Sequence, residues 1–199
     1  YASRKHMVGV NHLAGHIYAI YLEGNLPPFP FLALVVSGGH TEFYLVHDHA
    51  RYRLLGSTRD DAAGEAFDKV SKMMGLGYPG GPIIDHYGQD GDHQAIAFPR
   101  AYLEKNSLDF SFSGLKTAVL LYLKQNRLLG EVLAPRRMDE APPLWIRDVA
   151  ASFQQAVVDV LVAKTFLAVQ REGAAAVVLG GGWPVTVCCE KRCWLKLRK

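Results

Sequence analysis

Hydrophobic residues form three short runs near the start of the chain. Residues 31–36 (FLALVV) are apolar throughout, and residues 41–46 (TEFYLV) and 51–57 (RYRLLGS) follow after short polar segments. Runs of about four to eight residues that are rich in β-branched and aromatic side chains and bounded by turn residues are typical of strands. The pattern predicts three consecutive strands that form a meander.

Longer segments with apolar residues at helical spacing surround this meander. A helix is predicted over residues 6–23, before Gly24, and the longest helix is predicted to end at about Glu172, before Gly173. Glycine just past a periodic segment is a common helix stop. The other predicted elements are helices over residues 61–75, 82–88 and 114–127, a tight loop over residues 79–82, a strand over residues 109–113, a loop over residues 129–143 and a buried strand over residues 174–180.

The order of these elements indicates the fold class. Strands separated by helices favour an α/β fold. A three-stranded meander followed by helix–strand units also resembles one lobe of the actin, Hsp70 and sugar-kinase (ASKHA) architecture. The chain has 199 residues, of which 49% are hydrophobic, so it is long enough for one large domain or two small ones.

The apolar runs also bear on localisation. The longest run, FPFLALVV, is much shorter than the about 20 residues that a membrane-spanning helix needs. No signal-peptide pattern opens the sequence. We therefore expect a soluble, cytoplasmic protein that has no membrane association.

Charge and cysteine are concentrated at the end of the chain. The formal net charge is +3, but residues 190–199 alone carry +4, which leaves −1 on the preceding part. A net charge of −1 over residues 1–189 is not typical of a nucleic-acid-binding protein. Contact with RNA would therefore need a local basic patch or partner proteins. Cys188, Cys189 and Cys193 are the only cysteines, which is not the pattern of a secreted disulfide framework.

Two histidines one helical turn apart are the first candidate site. His12 and His16 stand in the otherwise apolar stretch GVNHLAGHIYA. Side chains at i and i+4 lie on one helix face, where two imidazoles can bind one zinc or iron ion. The alternative is a pair of partly exposed or hydrogen-bonded histidines. The metalloprotease pattern, which places a glutamate between the histidines, is absent.

A glycine pair follows the first predicted strand. In VVSGGHTEF, over residues 35–43, Gly38 and Gly39 allow the backbone to approach a ligand closely, and their N–H groups can hold a phosphate. The alternative is an ordinary two-residue hairpin turn, and the two interpretations are compatible.

An acidic cluster opens the next predicted helix. Asp60, Asp61, Glu65 and Asp68 suit the dipole at a helix N-terminus. Alternatively, Asp68 and the glycine loop at residues 80–81 offer a carboxylate and close backbone contact to a ribose hydroxyl group.

Two weaker patterns follow. In SFSGLKTAV, over residues 111–119, the simplest interpretation is an N-cap at Ser113 and a solvated Lys116. The run VVLGGG, over residues 177–182, is a strand followed by a glycine triplet, which alone is weak support for a nucleotide site.

Taken in this order, the motifs carry a resemblance. NHLAGH, VVSGGHTEF, DDAAGEAFDKVSKMMGLGYPGGP, DFSFSGLKTAV and VVLGGG closely resemble those of the TsaD family of tRNA adenosine threonylcarbamoyltransferases, formerly described as O-sialoglycoprotein endopeptidases. The resemblance extends from about Val8 to Gly182. It implies an ASKHA fold of two lobes, here incomplete.

The resemblance also implies a reaction. Members of the family transfer the threonylcarbamoyl group of threonylcarbamoyl-AMP to the adenosine 3′ of the anticodon, in tRNAs that read codons starting with A. Their implied requirements are one divalent metal ion, iron or zinc, and, in bacteria, the partners TsaB and TsaE. By motif, His12 and His16 resemble metal ligands. The positions that resemble substrate-binding residues are Val35, Val36, Ser37, Gly38, Gly39, Asp68, Gly81 and Asp85.

The sequence departs from the family at both ends. A whole lobe precedes the histidine helix in the family, whereas here His12 is the twelfth residue. After the glycines, Thr186 stands where the family has a substrate-binding asparagine, and residues 183–199 contain no aspartate for a third metal ligand. We therefore divide the chain into a partial TsaD-like domain, residues 1–182, and an anomalous tail, residues 183–199. We expect the missing third ligand to weaken the metal binding and the activity of this chain.

Three other functions are alternatives to the transferase. An ATPase or sugar kinase of the same superfamily would hydrolyse ATP without tRNA. A partner-binding module would bind TsaB without transferring the acyl group. A metalloprotease would cleave a glycoprotein when loaded with metal. The histidine pair and DDAAGEAFDK argue against the kinase.

The anomalous tail generates the first prediction. We expect that a translational frameshift or a gene-model error near codon 183 has replaced the family's C-terminal sequence. Sequencing the DNA on both sides and translating the neighbouring frames checks this expectation. The hypothesis fails if neither frame encodes an asparagine soon after the glycines and an aspartate further on.

Overall fold

The computed structural model describes residues 7–24, 27–130 and 142–181. In chain order their elements are α1 (His12–Tyr18), which continues as a 3-10 helix (Ala19–Glu23), β1 (Phe31–Val36), β2 (Thr41–Val46), β3 (Tyr52–Ser57), α2 (Ala63–Met73), α3 (Gly80–Gly88), α4 (Ser113–Gln125), a 3-10 turn (Leu128–Gly130), α5 (Leu144–Glu172) and β4 (Ala176–Gly180). The four strands form one sheet in the order β3-β2-β1-β4, in which β1 and β4 are parallel and the other pairs are antiparallel. The prediction of an α/β fold is confirmed.

The two faces of the sheet are buried against different helices. Because side chains alternate along a strand, Leu32 and Leu34 of β1 pack in the large core with α2, α3, α4 and α5. Phe31 and Ala33 point to the other face and pack with Ile17 of α1. Burial on both faces explains why β1 reads as an unbroken apolar run.

The long helix α5 forms the middle of the large core. It ends as predicted, since Gly173 adopts a left-handed conformation (φ 64°) and donates its N–H to the carbonyl oxygen of Val169. By length and composition alone the helix could cross a membrane, but 67% of its most apolar 18-residue stretch is buried inside this fold. We therefore interpret it as a core helix. Because polar residues interrupt it, no long unbroken apolar run marks it in the sequence.

The first helix is shorter than predicted. It begins at His12, where the side chain of Asn11 accepts a hydrogen bond from the backbone N–H of Ala14 (3.0 Å), and it tightens into a 3-10 helix at Ala19. The prediction of a continuous helix over residues 6–23 was wrong because an asparagine cap fixes the start of the helix.

The predicted loop at residues 79–82 is largely the first turn of α3. Gly80 and Gly81 are helical and buried, and Pro79 precedes them. A Cβ atom at Gly80 would overlap the backbone of Phe67 and Asp68 in α2. The glycine is therefore required for the close approach of α3 to α2, and not for a loop.

The start of α4 also differs from the prediction. Ser113 is the first residue of the helix, not its cap, and its hydroxyl donates to Asp60 (2.7 Å). The same carboxylate accepts the N–H groups of Phe112 and Ser113 and the hydroxyl of Ser111. Residues 109–113 form no strand; only Phe110 makes a bridge, to Thr58. A distant aspartate thus replaces a local cap.

The neighbouring Asp61 connects α2 to α4. Its carboxylate lies 2.6 Å from the ammonium group of Lys69 and 2.7 Å from that of Lys116. Lys116 is therefore paired, and the prediction that it is solvated was wrong. Burial raises the pKa of Asp61, but the hydrogen bonds from the two lysines outweigh it and hold the pKa below its usual value.

The N-terminus of α2 lies directly on the turn between β1 and β2. A Cβ atom at Gly64 would lie 2.5 Å from the carbonyl oxygen of Ser37 and 2.7 Å from Cα of Gly38. The N–H of Ala63 donates to the hydroxyl of Thr41 (2.8 Å). No side chain can therefore separate the helix from the turn.

This contact predicts the effect of adding a methyl group. Gly64→Ala should destabilise the protein by about 1–3 kcal/mol, because the turn or the helix must move. The matched control is Gly114→Ala in α4, where an added Cβ meets no atom of the described residues within 4 Å; this change should be neutral or stabilise by up to about 1 kcal/mol. Urea denaturation of the three proteins checks both effects, and equal midpoints for G64A and the wild type would contradict the contact.

The bridging carboxylate predicts a pH-dependent effect. At pH 7, Asp61→Asn should cost about 1–3 kcal/mol, because two lysines lose an ionised partner. Since the pKa of Asp61 is lower in the folded state than the unfolded value of about 3.9, its contribution is present above that pH and is lost as the pH falls through the folded value.

Melting temperatures of D61N and the wild type, measured from pH 7 to pH 3, test this effect. The difference should shrink toward acid pH. The control is Glu65→Gln, since Glu65 is 44% exposed and its one ion pair among the described residues is with Lys69; its effect should be smaller. A difference that is the same at both ends of the pH range would contradict the expectation.

Candidate functional site

The two histidines of α1 converge on one point. Nε2 of His12 lies 3.2 Å from Nε2 of His16. Two nitrogen ligands of a tetrahedral zinc ion, each at about 2.0–2.1 Å from the metal, would be separated by roughly 3.3 Å. The pair therefore has the separation of two ligands of one ion. The same distance also allows an N–H···N hydrogen bond between neutral rings.

The environment favours the neutral form of the second histidine. Burial lowers the pKa of His16, and the neighbouring His12 and His40 lower it further. A neutral imidazole is the form that binds a metal ion. Across residues 7–24, 27–130 and 142–181, no third His, Cys, Asp or Glu completes a group of metal ligands.

The glycine pair lies at the tip of the β1–β2 hairpin. Val36 and Thr41 form the last pair of the ladder, and the N–H of Ser37 donates to the carbonyl oxygen of His40 (2.8 Å). The prediction of a hairpin turn is confirmed. A Cβ atom at Gly38 or at Gly39 would meet nothing within 4 Å in the described structure, so internal packing does not require either glycine.

The histidine pair and the glycine turn lie side by side. The ring centroid of His40, at the end of the turn, is 5.8 Å from that of His12. The end of β4 is also close, since a Cβ atom at Gly180 would lie 3.2 Å from the carbonyl oxygen of His16 and one at Gly181 would overlap that of Val36. Helix α1, the turn and the end of β4 therefore meet at one end of the sheet.

Helix α2 extends this region toward the predicted carboxylates. Gly64 and Asp68 are four residues apart, so they share the face that lies on the turn, with Cα atoms about 6 Å apart. Asp68 accepts the N–H of Gly80 (2.7 Å). Asp85, in α3, accepts a hydrogen bond from Gln154 of α5 (2.7 Å). These bonds fix the positions of both carboxylates.

The structure thus places the predicted site residues in two connected groups. The first group is the histidine pair with the turn, and the second is the pair of carboxylates with the first turn of α3; helix α2 joins them. The first group comprises His12, His16, Val35, Val36, Ser37, Gly38 and Gly39, and the second comprises Asp68, Gly81 and Asp85.

Two residues at this site were not among those predicted. His40 stands inside the motif VVSGGHTEF, in which the glycine pair gives the stronger signal of a binding site. Gly64 carries a weak signal, namely a small residue one turn before Asp68. Thr186 and the proposed boundary at residue 183 lie outside the described residues, and both remain predictions.

Comparisons with known proteins agree with the motifs. The model of a family described as "TsaD: tRNA N6-adenosine threonylcarbamoyltransferase" matches residues 1–193. A protein of Thermodesulfovibrio yellowstonii named tRNA N6-adenosine threonylcarbamoyltransferase is 53% identical over 182 residues, which is 92% of this chain and 52% of the relative.

Two further relatives carry the same name. That of Clostridioides difficile is 52% identical over 176 residues, 88% of this chain and 49% of the relative. That of Moorella thermoacetica is 53% identical over 182 residues, 92% of this chain and 50% of the relative. The chain spans about half the length of the curated relatives that it matches. On these matches and on the motifs that carry them, the chain belongs to the TsaD family of tRNA N6-adenosine threonylcarbamoyltransferases.

Proposed function

We propose that this chain forms part of the active site of a tRNA threonylcarbamoyltransferase. The reaction transfers the threonylcarbamoyl group of threonylcarbamoyl-AMP to the adenosine 3′ of the anticodon, in tRNAs that read codons starting with A. The observation that carries the proposal is the 5.8 Å distance between the rings of His12 and His40, which joins the histidine pair to the glycine turn. Membership of the family supplies the reaction.

The histidine pair is the proposed metal site. His12 and His16 would hold one divalent ion, zinc or iron, because imidazole nitrogen suits both metals. When bound, the ion would polarise the carbamoyl oxygen and hold the threonyl part of the substrate. Two protein ligands leave coordination positions open for substrate oxygens.

The glycine turn is the proposed site of the adenylate phosphate. Since no side chain stands on Gly38 or Gly39, a phosphate can approach the backbone N–H groups closely. Asp68 uses one carboxylate oxygen for Gly80, which leaves the other for a ribose hydroxyl. Gly81 and Asp85 lie on the same helix as Gly80, α3. There they would complete the part of the site that binds the nucleoside.

The chemistry then needs little beyond positioning. The exocyclic amine of the adenosine attacks the carbonyl carbon of the mixed anhydride, a C–N bond forms, the C–O bond to the phosphate breaks, and AMP leaves. The amine loses one proton in the same sequence. Because the anhydride is already activated, correct orientation and stabilisation of the developing charge account for the rate.

The protein partners belong to the same proposal. The part of the chain before residue 190 carries a net charge of about −1 by composition, which is low for an RNA-binding surface. We propose that tRNA binding is shared with TsaB and TsaE, in the cytoplasm.

The transfer assay is the direct test. The purified chain is incubated with zinc or iron(II), TsaB, TsaE, threonylcarbamoyl-AMP and a tRNA that reads codons starting with A, and the modified nucleoside is measured by mass spectrometry. His12→Gln should reduce the modification at least about tenfold, because one metal ligand is lost. His47→Gln, at the opposite end of β2, is the matched control and should leave it unchanged.

A readout without catalysis accompanies this assay. Titration with Co²⁺, followed by its visible absorption, should show binding to the wild type and to H47Q but not to H12Q. Binding of TsaB with no transfer by the wild type would favour a partner-binding module. Hydrolysis of ATP in the absence of tRNA would favour the kinase alternative.

A further inference from the structure

His40 is held in place by the glycine turn itself. Its backbone N–H donates to the hydroxyl oxygen of Ser37 (3.1 Å), and its carbonyl oxygen accepts the N–H of the same serine (2.8 Å). The next residue, Thr41, is fully buried and fixed to α2 through the N–H of Ala63. The half-buried imidazole therefore extends from a backbone that has little freedom.

The same serine contacts one nitrogen of the ring. The hydroxyl oxygen of Ser37 lies 3.5 Å from Nδ1 of His40, a contact in which either group can donate. Within the described residues Nε2 has no hydrogen-bond partner. The ring thus presents one unused nitrogen, Nε2, for a hydrogen bond.

The ring of His40 lies beside the histidine pair. It is tilted by 45° to the ring of His12, with centroids 5.8 Å apart. The three imidazoles do not form a group of metal ligands. The ring is therefore placed to contact a molecule that lies between the pair and the glycine turn.

We propose that His40 is a positioning residue for the acyl part of the substrate. Its Nε2 forms a hydrogen bond with the threonylcarbamoyl group, at the point where that group passes from the histidine pair to the glycine turn. The assignment rests on the proposed function, and it adds a contact that neither the metal ligands nor the glycines supply.

Two small probes separate this contact from its alternatives. N-carbamoyl-L-threonine represents the acyl part of the substrate, and AMP represents the leaving group. Dissociation constants for both are measured by NMR titration of the zinc-loaded full chain. The variants are His40→Ala, His40→Gln, whose amide nitrogen reaches as far as Nε2 of histidine, and His47→Ala as the control.

The expected result is selective. H40A should weaken the binding of N-carbamoyl-L-threonine about tenfold, as expected for the loss of one hydrogen bond to a polar ligand. H40Q should restore most of this loss. AMP affinity, Co²⁺ affinity and melting temperature should stay at wild-type values in H40A, H40Q and H47A.

Each contrary result overturns the assignment in a distinct way. If H40A binds N-carbamoyl-L-threonine like the wild type, the contact does not exist. If Co²⁺ affinity falls in both H40A and H40Q, the ring is a metal ligand. If H40A loses AMP binding and melting temperature together, the ring only supports the turn. A wild-type chain that binds neither probe overturns the proposed function as well.

Discussion

The close approach of helix α2 to the β1–β2 turn is the constraint on which the site depends. Gly64 allows the helix backbone to rest on Ser37 and Gly38 without a side chain between them. Because strand β1 is buried on both faces, the turn at its end cannot shift to make room. The helix is thereby oriented so that Asp68 faces the same side as the turn. One absent methyl group thus sets the geometry of two groups of site residues.

Much of the fold follows from local patterns, and the errors have a common cause. The apolar run at residues 31–36 is the strand β1 without any change of bounds, and Gly173 ends α5 as expected. The predictions were wrong where a residue that is distant in sequence makes the contact that a local residue was expected to make. Asp60, which precedes α4 by more than fifty residues in the sequence, takes the place of a serine cap at the start of that helix. No inspection of residues 109–113 alone could have found this contact.

The same distinction applies to the site, where some contacts follow from local spacing and others from tertiary packing. The spacing of His12 and His16 is local, so helical geometry alone brings their nitrogens together. That the pair lies beside His40 depends on the packing of α1 on the sheet, through Ile17. The family motifs supplied the list of residues, whereas the order of contacts from the histidines through the turn to Asp68 required tertiary structure.

The parallel pairing of β4 with β1 fixes where β4 ends. Parallel neighbours finish at the same end of a sheet, and β4 finishes where the carbonyl groups of His16 and Val36 lie. A Cβ atom at Gly181 would overlap the carbonyl oxygen of Val36, so a substitution there would displace the last residue of β1, from which the glycine turn begins. The missing side chain at Gly181 therefore affects the position of the turn as directly as the one at Gly64.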